Sequence, residues 1–332
     1  MKAGVWTGHG QLVFQDWPDP DVAEDGVLVK VAYSGMCGSD AHVIEGDLPT
    51  GPPPQVLGHE VSGTVAAVGS QVTGLEVGSR VACNFFSPCG RCPWCADAQP
   101  NHCRRKTLGA SGYAEYAAYR ADQVFVLPDA VPLDEGALLE PAATALYAVE
   151  QSGLRPGETV LVIGAGPIGL LTAQIARLMG AGAVVVSEPN PAKRALAKQL
   201  GFTRVLDPIH DELHPVSRSV SPRRGFDVVY DSAGVASVAA EATNLLATRG
   251  RLMLLAVYGS DVTIPINPRL FYERELVVRS TFATAYAFPR TVALLPQLQL
   301  KPLITAVEPL SSISDVYQRH RAGQYTKVLL EP

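Results

Sequence analysis

Residues 159–169 read TVLVIGAGPIG: a run of apolar, β-branched residues that passes straight into Gly164, Gly166 and Gly169. The three glycines fit the G-x-G-x-x-G spacing of a dinucleotide-binding turn, with a helix expected to begin near Ile168. Gly164 would allow the tight turn, Gly166 would let backbone approach a pyrophosphate, and Gly169 would let the helix pack closely. Pro167 and Ile168 lie between the last two glycines, where the unpaired N–H groups of a helix start favour an anion. The next apolar run ends in VVVSE and places Glu188 19 residues beyond Gly169, where a carboxylate would meet ribose hydroxyls and repel a 2′-phosphate. That points to NAD. Lys193 and Arg194 follow closely and could serve a phosphate, so NADP stays open. The plain alternatives are a strand-to-helix turn without a ligand and, for Glu188, a solvated strand end.

Outward from this motif the pattern repeats. Apolar runs at 159–163 and 184–187 alternate with Ala/Leu-rich stretches at 168–179 and 192–200, and further short runs follow at 228–230, 252–257 and 276–278. Alternation of this kind predicts a parallel sheet with crossover helices, an α/β doubly wound (Rossmann) domain. Residues before about 156 read differently: short strands such as 27–33 and 61–68, broken by Gly- and Pro-rich stretches such as 48–54. The Pro/Ser/Arg-containing stretch 214–224 reads as a surface loop or a poorly ordered connection. A length of 332 residues, 47% of them hydrophobic, suits two domains with separate cores. The formal charge of −5 carries no like-charged block, and no run reaches the roughly 18 apolar residues of a membrane span. The expectation is a soluble cytoplasmic protein with a small-molecule substrate and neither nucleic acid nor membrane as partner.

Cysteine usage supplies the metal chemistry. Cys89, Cys92, Cys95 and Cys103 form C-x2-C-x2-C-x7-C within SPCGRCPWCADAQPNHC. Four thiolates on one short loop can close a tetrahedron around a structural zinc. An iron–sulfur cluster is the rival, disfavoured by the absence of longer cluster spacings, and His102 reads as a loop residue. A second set is dispersed: Cys37 in GMCGSDAH, His59 and Glu60 in GHE, and Glu140 in LLEPAATAL. Singly, each has an ordinary structural explanation. Together they offer one thiolate, one imidazole and carboxylates, a set that would leave a zinc with an open position.

The segments CGSDAH, GHEVSGTVAAVG, the four-cysteine loop, LLEPAATAL and VLVIGAGPIG stand in the order seen in zinc-dependent medium-chain alcohol dehydrogenases, which the chain therefore resembles. FDVVYDSAG and ERELVVRSTF extend the resemblance to nearly the whole chain. Glu140 and CGSDAH are similar to the sorbitol and threonine dehydrogenase branch. Cys83 departs from the family pattern and reads as a buried strand cysteine. The resemblance implies a GroES-like, partly open barrel at 1–149 with 284–332 and a cofactor domain at 150–283. It further implies that Cys37, His59 and Glu60 hold a catalytic zinc, with Glu140 binding it directly or through its water. Ser39 would hand the substrate proton on through the cofactor ribose to His42. The implied activity is hydride transfer between a secondary alcohol and NAD(P), by a homodimer or homotetramer. The first expected substrate is a polyol, cyclitol or aminocyclitol, and an amino alcohol of the threonine type is second. Phosphorylated polyols rank lower, because no basic cluster can be assigned to the pocket. A zinc-less reductase, or a non-catalytic dinucleotide-binding relative, would lack Cys37, His59 and the cysteine loop. A nucleic-acid-binding zinc module would need more than the local patch Arg91, Arg104, Arg105 and Lys106.

Overall fold

The computed structural model describes residues 1–8, 10–109, 111–221 and 224–332. It divides into two compact units, Met1–Pro141 with Ala285–Pro332, and Ala142–Thr284. The helix Leu139–Ser152 runs through the end of the first unit's Met1–Pro141 segment and the start of the second unit.

The unit Ala142–Thr284 is built on a six-stranded sheet whose order is Arg204–Leu206, Ala183–Ser187, Thr159–Ile163, Phe226–Asp231, Leu246–Leu254, Val277–Ser280. Every neighbouring pair is parallel. Helices cover such a sheet on both faces, so its central strands read as continuous apolar runs rather than alternating ones; all five residues of Thr159–Ile163 are buried. The chain starts in the middle, winds to one edge, returns and winds to the other. The change of direction falls between Thr159–Ile163 and Phe226–Asp231, the place where open α/β sheets bind ligands beyond the carboxyl ends of their strands. The stretch expected as a loop at 214–224 is corrected by the structure: Leu213–Val220 is a helix. Leu213, Val216 and Val220 pack on the core that holds Phe226, Ala242 and Leu245. Pro222 and Arg223 lie outside the described residues.

In the other unit, the strands Val124–Val126, Arg80–Cys83, Glu60–Val68, Gly26–Gly35, Lys327–Glu331 and Ile304–Pro309 are neighbours in that order, with Tyr116–Arg120 also on Gly26–Gly35. A valine-rich core of Val27, Val29, Val31, Val61, Val65 and Val81 lies under it. Cys83 is buried there, as expected, and burial raises its thiol pKa. The C-terminal strand enters this sheet by pairing Leu329 with Gly35 and Leu330 with Ser34. That pairing carries Lys327 into the same neighbourhood as Cys37 and Glu60. Among the described residues, no helix is long and apolar enough to cross a membrane.

Candidate metal centres and cofactor site

Cys37 lies two residues beyond the strand Gly26–Gly35 and caps the helix Gly38–Glu45. His59 follows Gly58, whose φ of +92° is a left-handed turn that favours glycine, and Glu60 opens the strand Glu60–Val68. Gly35 pairs with Glu60 across the sheet, and a Cβ on Gly35 would come within 2.0 Å of Glu60 Oε2. Glycine there makes room for the carboxylate. The candidate ligand atoms of Cys37, His59 and Glu60 lie within 4.8 Å of one another, close enough to share one metal ion. Glu140, at the start of the helix Leu139–Ser152, is buried but is not one of that converging group.

Three side chains around this set were not singled out from sequence. Asp40 Oδ1 lies 3.1 Å from His59 Nδ1, and Asp40 Oδ2 accepts from Tyr113 O–H at 2.5 Å and from Cys37 N–H at 3.1 Å. Burial alone would raise the Asp40 pKa, but His59, Tyr113 and the Cys37 amide outweigh it and hold the carboxyl below the ordinary value. A charged Asp40 favours the proton on His59 Nδ1, which would leave Nε2 free to face a metal. Lys327 Nζ lies 2.7 Å from both Glu60 oxygens and donates to Met36 O at 3.0 Å. Glu60 is 1% exposed and Lys327 2%. Burial opposes the ammonium, yet Glu60, Cys37 and Glu140 together raise the Lys327 pKa, so it stays charged.

Ser39 Oγ donates to Cys37 Sγ at 3.2 Å and sits 3.4 Å from His59 Nε2. His42, one turn further along the same helix, has Nδ1 3.1 Å from Asp47 Oδ2 and a partly exposed ring.

The four-cysteine loop closes on itself. Sγ–Sγ separations are 3.5 Å for Cys92–Cys95, 3.8 Å for Cys92–Cys103 and 4.0 Å for Cys89–Cys95. A tetrahedral zinc with Zn–S bonds of about 2.3 Å would set sulfurs about 3.8 Å apart, so the cage fits the ion. Backbone N–H groups of Cys89 and Arg105 point at Cys103 Sγ, both at 3.4 Å. The amide of Arg91, ahead of other donors, lowers the Cys89 pKa to about 6, whereas burial pushes Cys95 up to about 12. Holding all four sulfurs as thiolates at these separations would need a cation. His102 instead lies with its ring 5.4 Å from that of Trp94.

In the other unit, Gly164 has φ +93°, and a Cβ on Gly169 would come within 2.0 Å of Gly164 O. Gly166 caps the helix Pro167–Leu178, Pro167 takes its first position and Ile168 its second, and nothing lies within 4 Å of where a Gly166 Cβ would stand. The glycine turn is therefore tight, closely packed and open on its outer side, as a pyrophosphate requires. Glu188 Oε2 accepts from Ala165 N–H at 2.7 Å and Oε1 from Asn190 N–H at 2.8 Å, which joins the end of the strand Ala183–Ser187, second of this sheet in chain order, to the glycine turn. Each oxygen keeps a further lone pair for a ribose hydroxyl.

The sequence families agree with this geometry. Residues 23–129 match the alcohol dehydrogenase GroES-like domain, and residues 167–297 match the zinc-binding dehydrogenase domain. The chain belongs to the zinc-dependent medium-chain alcohol dehydrogenase family. Within this family it falls in the sorbitol and threonine dehydrogenase-like branch, and it is an enzyme of that class. It is 30% identical to sorbitol dehydrogenase of Bacillus subtilis over 96% of its own length and 93% of that protein's. To L-threonine 3-dehydrogenase of Deinococcus deserti it is 33% identical, over 99% of this chain and 96% of the relative. A zinc-binding dehydrogenase of Sinorhizobium meliloti, solved bound to NADP, superposes with a TM-score of 0.92 at 32% identity, covering 100% and 99% of the two chains. For a member of this family, the GroES-like and doubly wound Rossmann halves are the expected pair.

Proposed function

We propose that this dehydrogenase oxidises a secondary alcohol bearing an adjacent hydroxyl group (a polyol, cyclitol or aminocyclitol) to the ketone with NAD, or runs the reverse reduction. The observation that carries this reading is the convergence of Cys37, His59 and Glu60 in a chain that has glutamate at 140. Those three residues would hold the catalytic zinc, and Cys89, Cys92, Cys95 and Cys103 the structural one. Bound at the open site, zinc would supply the Lewis acid that makes a substrate hydroxyl easier to deprotonate, and the dinucleotide would supply the hydride acceptor. Asp40 fixes the His59 tautomer. Lys327 orients Glu60 through both oxygens. Ser39, 3.2 Å from Cys37 Sγ, would take the hydroxyl proton, and His42, on the same face of the helix one turn on and partly exposed, would pass it to solvent. Six free cysteines suit a reducing compartment such as the cytoplasm. The edge strand Val277–Ser280 is exposed at all four residues, which favours addition of a second copy. Light scattering should then read a multiple of 35.2 kDa.

Glu140 is the residue that tests the substrate. It is buried and near enough to Lys327 to stabilise its charge. It can receive a polar neighbour of the reacting hydroxyl, which a simple primary alcohol lacks. Glu140→Ala should therefore lower kcat/KM for a vicinal polyol by about 10²-fold, the scale expected when oriented contacts are lost, with ethanol a poor substrate throughout. Steady-state kinetics with sorbitol, an aminocyclitol, threonine, a phosphorylated polyol and ethanol decide the matter. Efficient ethanol oxidation by the wild type would refute the reading, and a strong preference for threonine would favour the amino-alcohol alternative that the Deinococcus deserti relative brings in.

A further inference from the structure

Lys193 and Arg194 stand where a cation could meet a 2′-phosphate, but the structure treats the two differently. Lys193 is engaged through its backbone N–H, which donates to Asn190 Oδ1 at 3.3 Å. The Arg194 guanidinium is bound on three sides. Nη1 donates to Glu188 O at 2.9 Å and to Pro189 O at 2.6 Å, and Nη2 lies 2.8 Å from Asp207 Oδ2. Both partners of that ion pair are largely buried, with side chains 19% and 15% exposed. Asp207 follows the third strand, Arg204–Leu206, and Glu188 N–H donates to Leu206 O at 3.0 Å. Arg194 thus bolts the turn after the second strand to the end of the third.

That turn carries Glu188, whose carboxylate reaches back to Ala165 in the glycine turn. Asn190, in the same turn, caps the helix Pro191–Gln199 by accepting from Ala192 N–H at 2.9 Å and Lys193 N–H. A planar guanidinium spanning two carbonyls and one carboxylate can hold such a turn in one conformation; a lysine ammonium, as a single point charge, cannot span all three. A 2′-phosphate seeking Arg194 would have to displace Asp207, and it would meet both carboxylates.

We propose that Arg194 is a positioning residue of the adenosine-ribose subsite: with Asp207 it holds Glu188 ready for the ribose hydroxyls and so favours NAD, rather than binding a phosphate itself. The inference rests on the NAD-dependent reading above. Calorimetric titration of the full-length enzyme with NAD and with NADP tests it, on wild type, Arg194→Leu, Arg194→Lys and Asp207→Asn. Arg194→Leu should weaken NAD binding about tenfold or more, and Arg194→Lys should fail to restore it. The KM for NAD should rise by the same factor, while kcat at saturating NAD changes less than threefold. Asp207→Asn, which leaves the guanidinium in place but loosens it, should weaken NAD less and narrow the gap between NAD and NADP. If Arg194→Leu instead lost NADP affinity and kept NAD affinity, Arg194 would be a phosphate clamp and the proposal would be overturned. Unchanged binding of both dinucleotides in Arg194→Leu and Arg194→Lys would overturn it equally. A wild type that bound neither would defeat the cofactor reading itself, and the inference with it.

Discussion

Lys327→Met is expected to destabilise the enzyme by about 3–5 kcal/mol when its open metal site is stripped, the usual cost of removing one partner of a buried ion pair. Glu60 would keep its charge in a place with 1% exposure and lose the ammonium that meets both of its oxygens at 2.7 Å. At roughly 2–4 °C per kcal/mol for a domain of this size, the melting temperature should fall by about 6–20 °C. With zinc bound the loss should be smaller, because Glu60 would then face a second cation. Differential scanning of chelator-treated and zinc-loaded protein, wild type and variant, measures both. Equal losses in the two forms would mean that Glu60 does not share its charge with the metal, and the ligand set would shrink to Cys37 and His59 with Glu140 as the remaining carboxylate.

Lys327 also marks the limit of what the sequence carries. The glycine turn, the parallel strands around it and the cysteine loop were legible because each is a local pattern: a strand, three glycines and a helix within eleven residues, or four thiols within fifteen. The pairing of the C-terminal strand with Gly26–Gly35 joins the two ends of the chain, and no periodicity in KVLLE reports which strand it meets or that its first residue lands beside Glu60. Asp40 was visible within CGSDAH, yet a carboxylate three residues after a helix cap also satisfies the cap, and here it accepts the Cys37 N–H while serving His59. The helix Leu213–Val220 was missed for a local reason. Pro215 and the flanking Ser and Arg residues suggest a loop, but a proline in the first turn of a helix gives up an N–H that has no partner there anyway. The spacing of Leu213, Val216 and Val220, three and then four residues apart, was the signal that could have found it. Arg194 shows the same effect in a side chain: its charge was readable, but its engagement by Asp207 and two carbonyls depends on the third strand lying next to the second.

Asp40→Ala should weaken zinc binding at the Cys37–His59–Glu60 site by about 10–100-fold, the range found when a carboxylate behind a metal-bound histidine is removed. Without Asp40 Oδ1, His59 loses the acceptor that holds the proton on Nδ1, so the ring can rotate and present a protonated Nε2. Tyr113 O–H and the Cys37 N–H lose their shared acceptor as well, and Tyr113 is fully buried, so a loss of stability accompanies the loss of metal. Two further variants separate these effects. Tyr113→Phe removes one donor to Asp40 but keeps the His59 contact, so it should cost stability with less than a threefold change in zinc affinity. Asp40→Asn keeps an acceptor oxygen and the side-chain volume, but its amide must turn N–H groups towards either His59 or the Tyr113 and Cys37 donors, so it should fall between the other two. Competition for zinc against a graded set of chelators gives the affinities, and thermal melts of the same samples give the stabilities. If Asp40→Ala held zinc as tightly as the wild type, Asp40 would be only a cap and a packing partner of the helix Gly38–Glu45, and His59 would have to be oriented by Ser39 and the Phe85 ring, 5.6 Å away, instead.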